Sequence, residues 1–322
     1  MSTTFEYNIE KKSIRASIAP WWEATRPRMF SVWLASGIIP GTVARLNGVF
    51  EPATFLLELL LCFLLLTLSC WADEYGDLKK GVDGANRLGP IRPLQRGEIL
   101  PATMLRACIV LAVICGVVGV LLVVRSFLLH PTNPWGIVAF LLAGAVCIAA
   151  AFGYTMGKRP YGYRGLGDLV SFFFFGPVAG VGGFWLYAHT IDWLVLLPAS
   201  AAGFLLVQTI NLQNLRDFDN DRFHGKNTTA IILGRNRVIV YHYLLSLAAL
   251  LCYALFPIAS GLLSIQNFLF ILAFIPLINH CIRFRKLIHS GECPSKLDTL
   301  MWPLSRAMGA CAALFCLSIL SS

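Results

Sequence analysis

The sequence predicts an all-α protein that crosses a membrane nine times. Three observations point to this fold class: the composition, the lengths of the apolar runs and the distribution of the basic residues. Of the 322 residues, 57% are hydrophobic and only 13% are charged, whereas about a quarter of the residues in a soluble domain are charged. We therefore expect most of the chain to lie in a lipid bilayer.

Nine apolar runs are candidates for the membrane spans. A run of about 18 residues or more crosses a bilayer core of roughly 30 Å as a helix, and membrane helices tolerate the glycine and proline found in several runs. A polar, amphipathic N-terminal segment (1–29) precedes one membrane-embedded domain (30–322). In chain order the predicted spans are approximately 30–47, 54–72, 107–124, 135–153, 169–188, 193–211, 238–257, 261–279 and 302–320.

Lysine and arginine are concentrated on one side of this predicted bundle. The N-terminal segment and every second connection carry 22 of the 26 basic residues. By the positive-inside rule this side faces the cytoplasm, so we expect the N-terminus and the functional site there. The same rule accounts for the net charge of +9, and no motif in the sequence indicates a nucleic-acid partner.

Two acid-rich motifs directly follow apolar runs, although only 17 residues of the chain are acidic. The first, DEYGD, begins at Asp73 after the second predicted span, and the second, NLRDFDND, ends at Asp221 after the sixth. Residues i and i+4 share one face of a helix. We therefore expect Asp73 to share a face with Asp77, and Asp217 with Asp221.

Carboxylates clustered at a membrane edge repel one another, and leaving them ionised there is costly unless they are neutralised. A hard cation removes this cost, and Mg²⁺ commonly binds between a few carboxylates and the phosphates of a substrate. The motifs therefore predict one Mg²⁺ site built from two halves. The alternative is a set of solvated acids that balance nearby lysines. The candidate ligands are Asp73, Glu74, Asp77, Asp83, Asp217 and Asp221.

The same connections carry basic residues that suit a diphosphate. The arginine fork contacts phosphate oxygens at two points, and lysine acts as a point charge. Acids, a metal and cations together can bind a diphosphate and stabilise it as a leaving group. The positive-inside rule alone is the competing explanation for these cations. The candidates are Arg87, Arg92, Lys158, Arg216 and Lys226.

Three segments of the chain carry a family resemblance. The first contains EYGD (74–77), KGVD (80–83) and NRLGPIRPLQ (86–95). The second contains YGYRGLGD (161–168) and FFGP (174–177), and the third contains NLRD (214–217), DR (221–222), GKNT (225–228) and LG (233–234). Together they resemble the UbiA superfamily of membrane prenyltransferases, and within it the bacterial 1,4-dihydroxy-2-naphthoate polyprenyltransferases of menaquinone synthesis.

This resemblance implies nine transmembrane helices around a central cavity in the bacterial inner membrane. It implies transfer of a polyprenyl group from its diphosphate to 1,4-dihydroxy-2-naphthoate with loss of the ring carboxylate, giving demethylmenaquinone. Mg²⁺ would be held by the two acidic motifs. Tyr154 and Lys158 fit a Tyr-x-x-x-Lys pattern near the diphosphate, and Asn214 belongs to the third segment. The implied catalytic residues are Asp77, Asp217, Asp221 and Lys158.

Three positions depart from the family pattern. Cys70 stands where the family usually has asparagine, Glu74 where it has aspartate, and Gln213 where it has asparagine. These three substitutions change groups near the expected metal site, so they bear on the geometry of metal binding and on which acceptor is used. Two alternatives stay open: another aromatic acceptor, such as 4-hydroxybenzoate or homogentisate, and an anion transporter, which the position of the acids at the membrane edge disfavours. The sequence assigns no role to Glu58, and its histidines show no ligand-like spacing.

Overall fold

The computed structural model describes residues 14–84, 87–129, 135–291 and 293–321. Within these residues, nine helical segments are long and apolar enough to cross a membrane, which confirms the predicted fold class. They are Ile18–Leu46, Pro52–Lys79, Pro101–Leu129, Trp135–Gly153, Gly167–Ala188, Trp193–Arg216, Thr229–Ala259, Ile265–His289 and Pro294–Leu320.

Twelve α-helices make up most of these spans in the described part of the chain. Shorter 3-10 and π segments complete the rest. In chain order the helices are α1 (Ile14–Ala24), α2 (Phe30–Leu46), α3 (Pro52–Lys79), α4 (Pro101–Leu129), α5 (Trp135–Gly153), α6 (Gly167–Phe173), α7 (Gly183–Ala188), α8 (Leu196–Arg216), α9 (Phe218–Phe223), α10 (Thr229–Ala259), α11 (Phe274–His289) and α12 (Met301–Leu320).

The first span bends between α1 and α2. Arg26 has a φ of 54°, in the left-handed region, and Pro27 begins a short 3-10 turn. A non-glycine residue in this region costs free energy and persists only where its surroundings hold it. Arg26 is held by its ion pair with Asp73 on α3. Of the predicted N-terminal segment 1–29, residues 1–13 lie outside the described residues. So does Asn86, the first residue of NRLGPIRPLQ (86–95).

Helix α3 continues past the predicted end of its apolar run at residue 72 and reaches Lys79. Asp73, Glu74 and Asp77 therefore lie on the helix itself, and all three are buried. The helix continues because each of these carboxylates meets a hydrogen-bond donor or a cation from another segment. The acidic motif consequently projects from a rigid element rather than from a loop.

The core of the bundle lies around α2, α8, α10 and α12. Helix α8 is largely buried and packs against α10, α6 and the π-helix Phe174–Gly182. The π-helix contains Pro177, which has no backbone N–H to donate, so the backbone there adopts a wider turn. Helix α10 is interrupted at Gly234, whose φ of 76° and ψ of 162° are not helical. Of these irregular stretches, the π-helix borders the large internal cavity at Phe174, Pro177 and Gly182.

Helix α5 lies at the edge of the bundle. None of its described residues is buried, and it packs against α3 and α4. It contacts other segments near its two ends: Phe140 stacks on Trp185 with ring centroids 4.6 Å apart, and the hydroxyl of Tyr161, in the connection before the next span, donates to the Ala150 carbonyl at 2.9 Å. Between these contacts, Gly144 and Cys147 border an internal cavity. A Cβ on Gly144 would meet nothing within 4 Å, so small residues of an unburied helix form this part of the cavity wall.

Candidate functional site

A cavity of about 980 Å³ runs through the half of the bundle that contains α2 to α8. Most of its wall is apolar, with side chains such as Leu65, Cys115 and Phe174. Its polar end is formed where α3, α8 and the connections that follow them meet. That end is lined by Arg26, Asp73, Asp77, Arg87, Arg92, Tyr154, Asn214, Asp217, Asp221 and Lys226.

The first acidic motif presents two carboxylates to this cavity. Asp73 forms ion pairs with Arg26 and with Arg92, the latter at 3.4 Å from Arg92 Nη1 to Asp73 Oδ2. The other oxygen of Asp73, Oδ1, is buried and has no hydrogen-bond partner. One turn later, Asp77 accepts hydrogen bonds from the Tyr163 hydroxyl and from Lys226 Nζ, both at 2.8 Å. The predicted common face of Asp73 and Asp77 is present.

Two other acids of this region do not line the cavity. Glu74 is 1% exposed and accepts a hydrogen bond from the backbone N–H of Leu94 at 2.9 Å. Asp83 forms ion pairs with Arg87 and Arg92, and burial raises its pKa to about 7 despite the Arg87 charge. Both side chains fasten the segment after residue 86 to α3. They place Arg87 and Arg92 at the cavity rather than facing it themselves.

The second acidic motif spans the end of α8 and the start of α9. Asp217 ends α8, and the backbone N–H of Asp221 donates to the Asp217 carbonyl at 2.8 Å, so the two carboxylates stay one turn apart. Burial opposes the charge of Asp217, but hydrogen bonds from Arg216 outweigh it and lower the pKa. Burial raises the pKa of Asp221 to about 7. Both acids line the cavity.

Arg216 points away from the cavity although it stands next to Asp217. Its side chain is 1% exposed and forms ion pairs with Asp217, at 2.6 Å from Nη2 to Oδ2, and with Asp298 before α12. Arg28 also reaches Asp298, at 2.9 Å. Arg216 therefore ties the end of α8 to the N-terminal and C-terminal spans. In this arrangement it orients Asp217 and does not reach a ligand in the cavity.

Lys226 links the two motifs. Its Nζ lies 2.8 Å from Asp77 Oδ2 and 5.3 Å from the centre of the Tyr163 ring, and the residue is 7% exposed. Burial opposes its charge, but Asp77 and Asp221 outweigh burial and raise the pKa of Lys226 well above its ordinary value. A permanently charged ammonium thus stands between carboxylates of α3 and α9.

The connection 154–166 closes the polar end from a third side. Gly76 permits this, because a Cβ at that position would collide with Thr155, whose hydroxyl donates to the Ala72 carbonyl at 3.0 Å. Close backbone approach is a common reason for glycine in a helix. Tyr154 lines the cavity, whereas Lys158 is exposed and lies outside the cavity wall.

Within the described residues, no three His, Cys, Asp or Glu side chains come close enough to hold a metal ion by themselves. The carboxylates are paired with arginine and lysine instead. Their oxygen chemistry nevertheless suits Mg²⁺, which commonly takes one or two carboxylates and completes its coordination with water and substrate phosphates. The unpartnered Asp73 Oδ1 is one such oxygen. The residues present therefore fit a cation that binds together with a phosphate ligand.

Three features were not found from the sequence. Arg26 lines the cavity and pairs with Asp73; its place before Pro27 was the available signal. Glu58 lines the opposite end of the cavity. His242 and His280, 38 positions apart in sequence, meet at 3.0 Å between their Nε2 atoms, a pair that their spacing in the sequence did not indicate. Spacing along one helix cannot reveal a pair contributed by two helices.

Comparison with known proteins assigns this arrangement to a family. The model of the UbiA prenyltransferase family matches residues 34–302. A 1,4-dihydroxy-2-naphthoate octaprenyltransferase of Escherichia coli strain K12 is 40% identical over 79% of this chain and 80% of that protein. The protein with the same description from Haemophilus influenzae is 36% identical over 96% of this chain and 98% of its own length.

Solved structures show the same fold at low sequence identity. A UbiA homolog from Archaeoglobus fulgidus bound to GPP and Mg²⁺ has a TM-score of 0.56 and 18% identity, covering 94% of this chain and all of that one. A structure described as digeranylgeranylglyceryl phosphate synthase has a TM-score of 0.57 and 16% identity, covering 95% and 99%. The family match spans most of the chain and includes every carboxylate that lines the polar end of the cavity, so the chain belongs to the UbiA prenyltransferase family.

Proposed function

We propose that this enzyme transfers a polyprenyl group from polyprenyl diphosphate to 1,4-dihydroxy-2-naphthoate, with loss of CO₂, to give demethylmenaquinol, the reduced form of demethylmenaquinone. The observation that carries the proposal is the shape of the cavity: a charged end of carboxylates and cations continues directly into a long apolar body. A polyprenyl diphosphate has the same division into a charged head and an apolar tail. The names of the relatives at 40% and 36% identity support the acceptor.

The diphosphate head is expected at the cations of the polar end. Arg87, Arg92 and Lys226 border the cavity, with Tyr154 and Asn214 beside them as neutral hydrogen-bonding groups. Arginine holds phosphate oxygens in two-point contacts and lysine as a point charge. Lys158 reaches the head only after a movement of the connection 154–166, and Arg216 is occupied by Asp217 and Asp298. We therefore give Lys226 the larger share of diphosphate binding.

Mg²⁺ would be held by the carboxylates that line the cavity, Asp73, Asp77, Asp217 and Asp221. When bound, it neutralises charge on the diphosphate and makes it a better leaving group. The Mg²⁺ named with the Archaeoglobus fulgidus homolog supports use of a divalent cation. Glu74 and Asp83, which are engaged with Leu94 and with Arg87 and Arg92, are left out of this proposed ligand set.

The side chains of this enzyme position the reactants and stabilise charge. Arg87, Arg92 and Lys226 stabilise the diphosphate as its bond to the allylic carbon breaks and negative charge collects on its oxygens. The apolar wall beyond them, including Leu65 and Phe174, keeps water from the allylic cation that remains. The electron-rich ring carbon of the acceptor then forms the new bond, and the carboxylate leaves as CO₂. Positioning supplies much of the rate enhancement in such a step.

We further propose that the polar end of the cavity faces the cytoplasm of a bacterial inner membrane. The support is the concentration of basic residues in the connections around that end, as the positive-inside rule requires. A charged, water-soluble acceptor such as a naphthoate then reaches the site from the aqueous side, and the prenyl donor reaches it from the bilayer.

The test is a product assay with purified protein, Mg²⁺ and octaprenyl or farnesyl diphosphate. The acceptor panel contains 1,4-dihydroxy-2-naphthoate, 4-hydroxybenzoate and homogentisate, and products are identified by mass. We expect a prenylated naphthoquinol lacking the carboxyl group, no product after chelation of divalent cations, and recovery when Mg²⁺ is restored. A product from 4-hydroxybenzoate or homogentisate alone would overturn 1,4-dihydroxy-2-naphthoate as the proposed acceptor. Activity that survives chelation would overturn the proposed requirement for Mg²⁺.

A further inference from the structure

Glu58 is a buried acid that the proposed chemistry does not use. It lies on α3, 15 residues before Asp73, and is 4% exposed. At 1.5 Å per residue, this separation is about 22 Å along the helix axis. Both residues line the same cavity, and Glu58 is the cavity-lining residue of α3 that lies farthest from the diphosphate end. A carboxyl group at such depth is costly and indicates a function.

Two partners fix the position of Glu58. The Tyr187 hydroxyl donates to Glu58 Oε2 at 2.6 Å, and Tyr187 itself is 1% exposed. Gly183 passes directly over the other oxygen: a Cβ at this position would collide with Glu58 Oε1 and would come within 2.9 Å of Pro40. The carboxyl is thus clamped between α3 and α7, with Gly183 and Glu58 both forming part of the cavity wall.

The wall between the two ends of the cavity is apolar. On α3, Leu61, Cys62 and Leu65 border it, and Val178 and Gly182 border it on the facing span. An isoprenoid tail gains free energy from burial along this wall, about 0.8 kcal/mol per CH₂. At Glu58 the gain stops, because an apolar chain pressed against a buried carboxyl would deprive that group of the polar contacts it needs.

The length of this chamber can be expressed in isoprene units. An extended chain spans about 3.5 Å for three backbone bonds, so an isoprene unit of four bonds spans roughly 4.7 Å. A chamber of about 22 Å therefore takes four complete units and is too short to hold a fifth. A longer tail must turn aside, and α5 offers a side on which it can pass toward the lipid, because none of this helix's described residues is buried and its Gly144 and Cys147 form part of the cavity wall.

We propose that Glu58, held by Tyr187 and Gly183, is a polar end wall that stops the isoprenoid tail after about four units and directs the rest of a longer tail out past α5. It is a residue that determines chain-length preference and takes no part in bond making. This inference rests on the proposed prenyl transfer.

The test compares kcat/KM for farnesyl, geranylgeranyl and octaprenyl diphosphates, which have three, four and eight units. Glu58→Leu turns the end wall apolar. Because one buried CH₂ corresponds to a factor of about four, we expect geranylgeranyl diphosphate to gain about tenfold relative to farnesyl diphosphate. Octaprenyl diphosphate, whose tail already leaves beside α5, should gain less than threefold.

Two further variants keep the test independent of a folding defect. Glu58→Gln retains a polar side chain that accepts from Tyr187, and its length profile should equal that of the wild type. Gly183→Ala pushes Glu58 into the chamber, and geranylgeranyl diphosphate should lose about tenfold relative to farnesyl diphosphate. Glu51→Gln, on the same helix but outside the cavity wall, is the matched control and should leave the profile unchanged.

Identical length profiles in the wild type, Glu58→Leu and Gly183→Ala would overturn the end wall while leaving prenyl transfer intact. So would a gain in Glu58→Leu that is largest for octaprenyl diphosphate. Absence of product from every donor in every variant, with correctly folded protein, would instead overturn the proposed function.

Discussion

Two buried polar regions of this enzyme differ in one respect that decides their roles. The acidic cluster around Asp77 and Lys226 lines the large cavity. The second region joins α8, α10 and α11, where His242 lies 3.0 Å from both His280 Nε2 and Asn211 Oδ1. Both residues of the histidine pair are at most 1% exposed, and neither borders the large cavity.

The contrast shows that buried polarity alone does not mark a site. In the acidic cluster the charged side chains form ion pairs with residues of other segments. These side chains also line the cavity, so their oxygen and nitrogen atoms remain accessible from it. In the histidine region His242 is hydrogen-bonded to His280 and to Asn211, and Gln208 adds a hydrogen bond of 2.5 Å to Ser246. Access to the large cavity, added to polarity, separates the proposed catalytic region from the one that joins three helices.

The largest effect is expected at the carboxylates of the acidic cluster. Asp77→Asn and Asp221→Asn each remove one negative charge from a separate motif, and we expect kcat/KM to fall at least ~100-fold, as when one preorganised electrostatic contact is lost elsewhere. Asp219→Asn is the control, since Asp219 is exposed and paired with Arg235 outside the cavity. Steady-state kinetics with a saturating acceptor measures the effect. Equal losses in Asp219→Asn and Asp77→Asn would contradict the site.

A smaller but still clear effect is expected at Lys226. Lys226→Met removes a charge-assisted contact to the diphosphate, and we expect KM for the donor to rise about tenfold. Lys158→Met should raise it less, because Lys158 lies outside the cavity wall. Titration of the donor at fixed Mg²⁺ compares the two. A larger effect at Lys158 would show that the connection 154–166 moves onto the diphosphate and that Lys226 has the lesser share.

A substitution in the histidine region should lower the stability of the protein and leave its catalytic rate unchanged. His280→Leu leaves His242 Nε2 without its partner, although Nδ1 keeps Asn211, and an unsatisfied buried group costs about 1–3 kcal/mol. We expect a lower unfolding temperature in detergent and an unchanged kcat per folded molecule. Thermal unfolding and specific activity measured on the same preparation test both halves of this expectation. An unchanged unfolding temperature with a tenfold loss of kcat would remove the distinction between the two regions.

The smallest effect is expected at the start of α3. Glu51 accepts hydrogen bonds from the Thr54 backbone N–H at 2.6 Å and from Arg125 at 2.9 Å. Burial works against its charge, but these bonds outweigh it and lower the pKa of Glu51 to about 2. Because the pKa is lower in the folded state, its contribution is complete above the ordinary value of 4.5 and disappears as the pH falls through 2.

Glu51→Ala should therefore cost about 1 kcal/mol at neutral pH, as for other N-caps. The difference in unfolding temperature between variant and wild type should shrink steadily as the pH falls below the ordinary glutamate pKa. A difference that is constant from pH 7 to pH 3 would mean that the cap acts without its charge.

The number of spans was predictable because a helix that crosses a membrane needs a long, predominantly apolar run, which is visible in the sequence. The ends of the spans were not, since they depend on partners elsewhere: α3 reaches Lys79 only because Asp73 and Asp77 meet Arg26 and Lys226. Helix spacing correctly placed Asp73 with Asp77. It could not show that Glu74 turns to the Leu94 backbone, because neighbouring residues of one motif face different directions on a helix.

The exposed helix α5 has a kinetic consequence. A donor whose tail enters beside α5 travels in two dimensions, within the plane of the bilayer, and is never truly dissolved in water. The quantity that governs encounter is then the number of donor molecules per lipid rather than per litre. Adding donor-free lipid to a membrane that contains enzyme and a fixed amount of donor should slow turnover, although the molar concentrations of donor and enzyme in the tube have not changed.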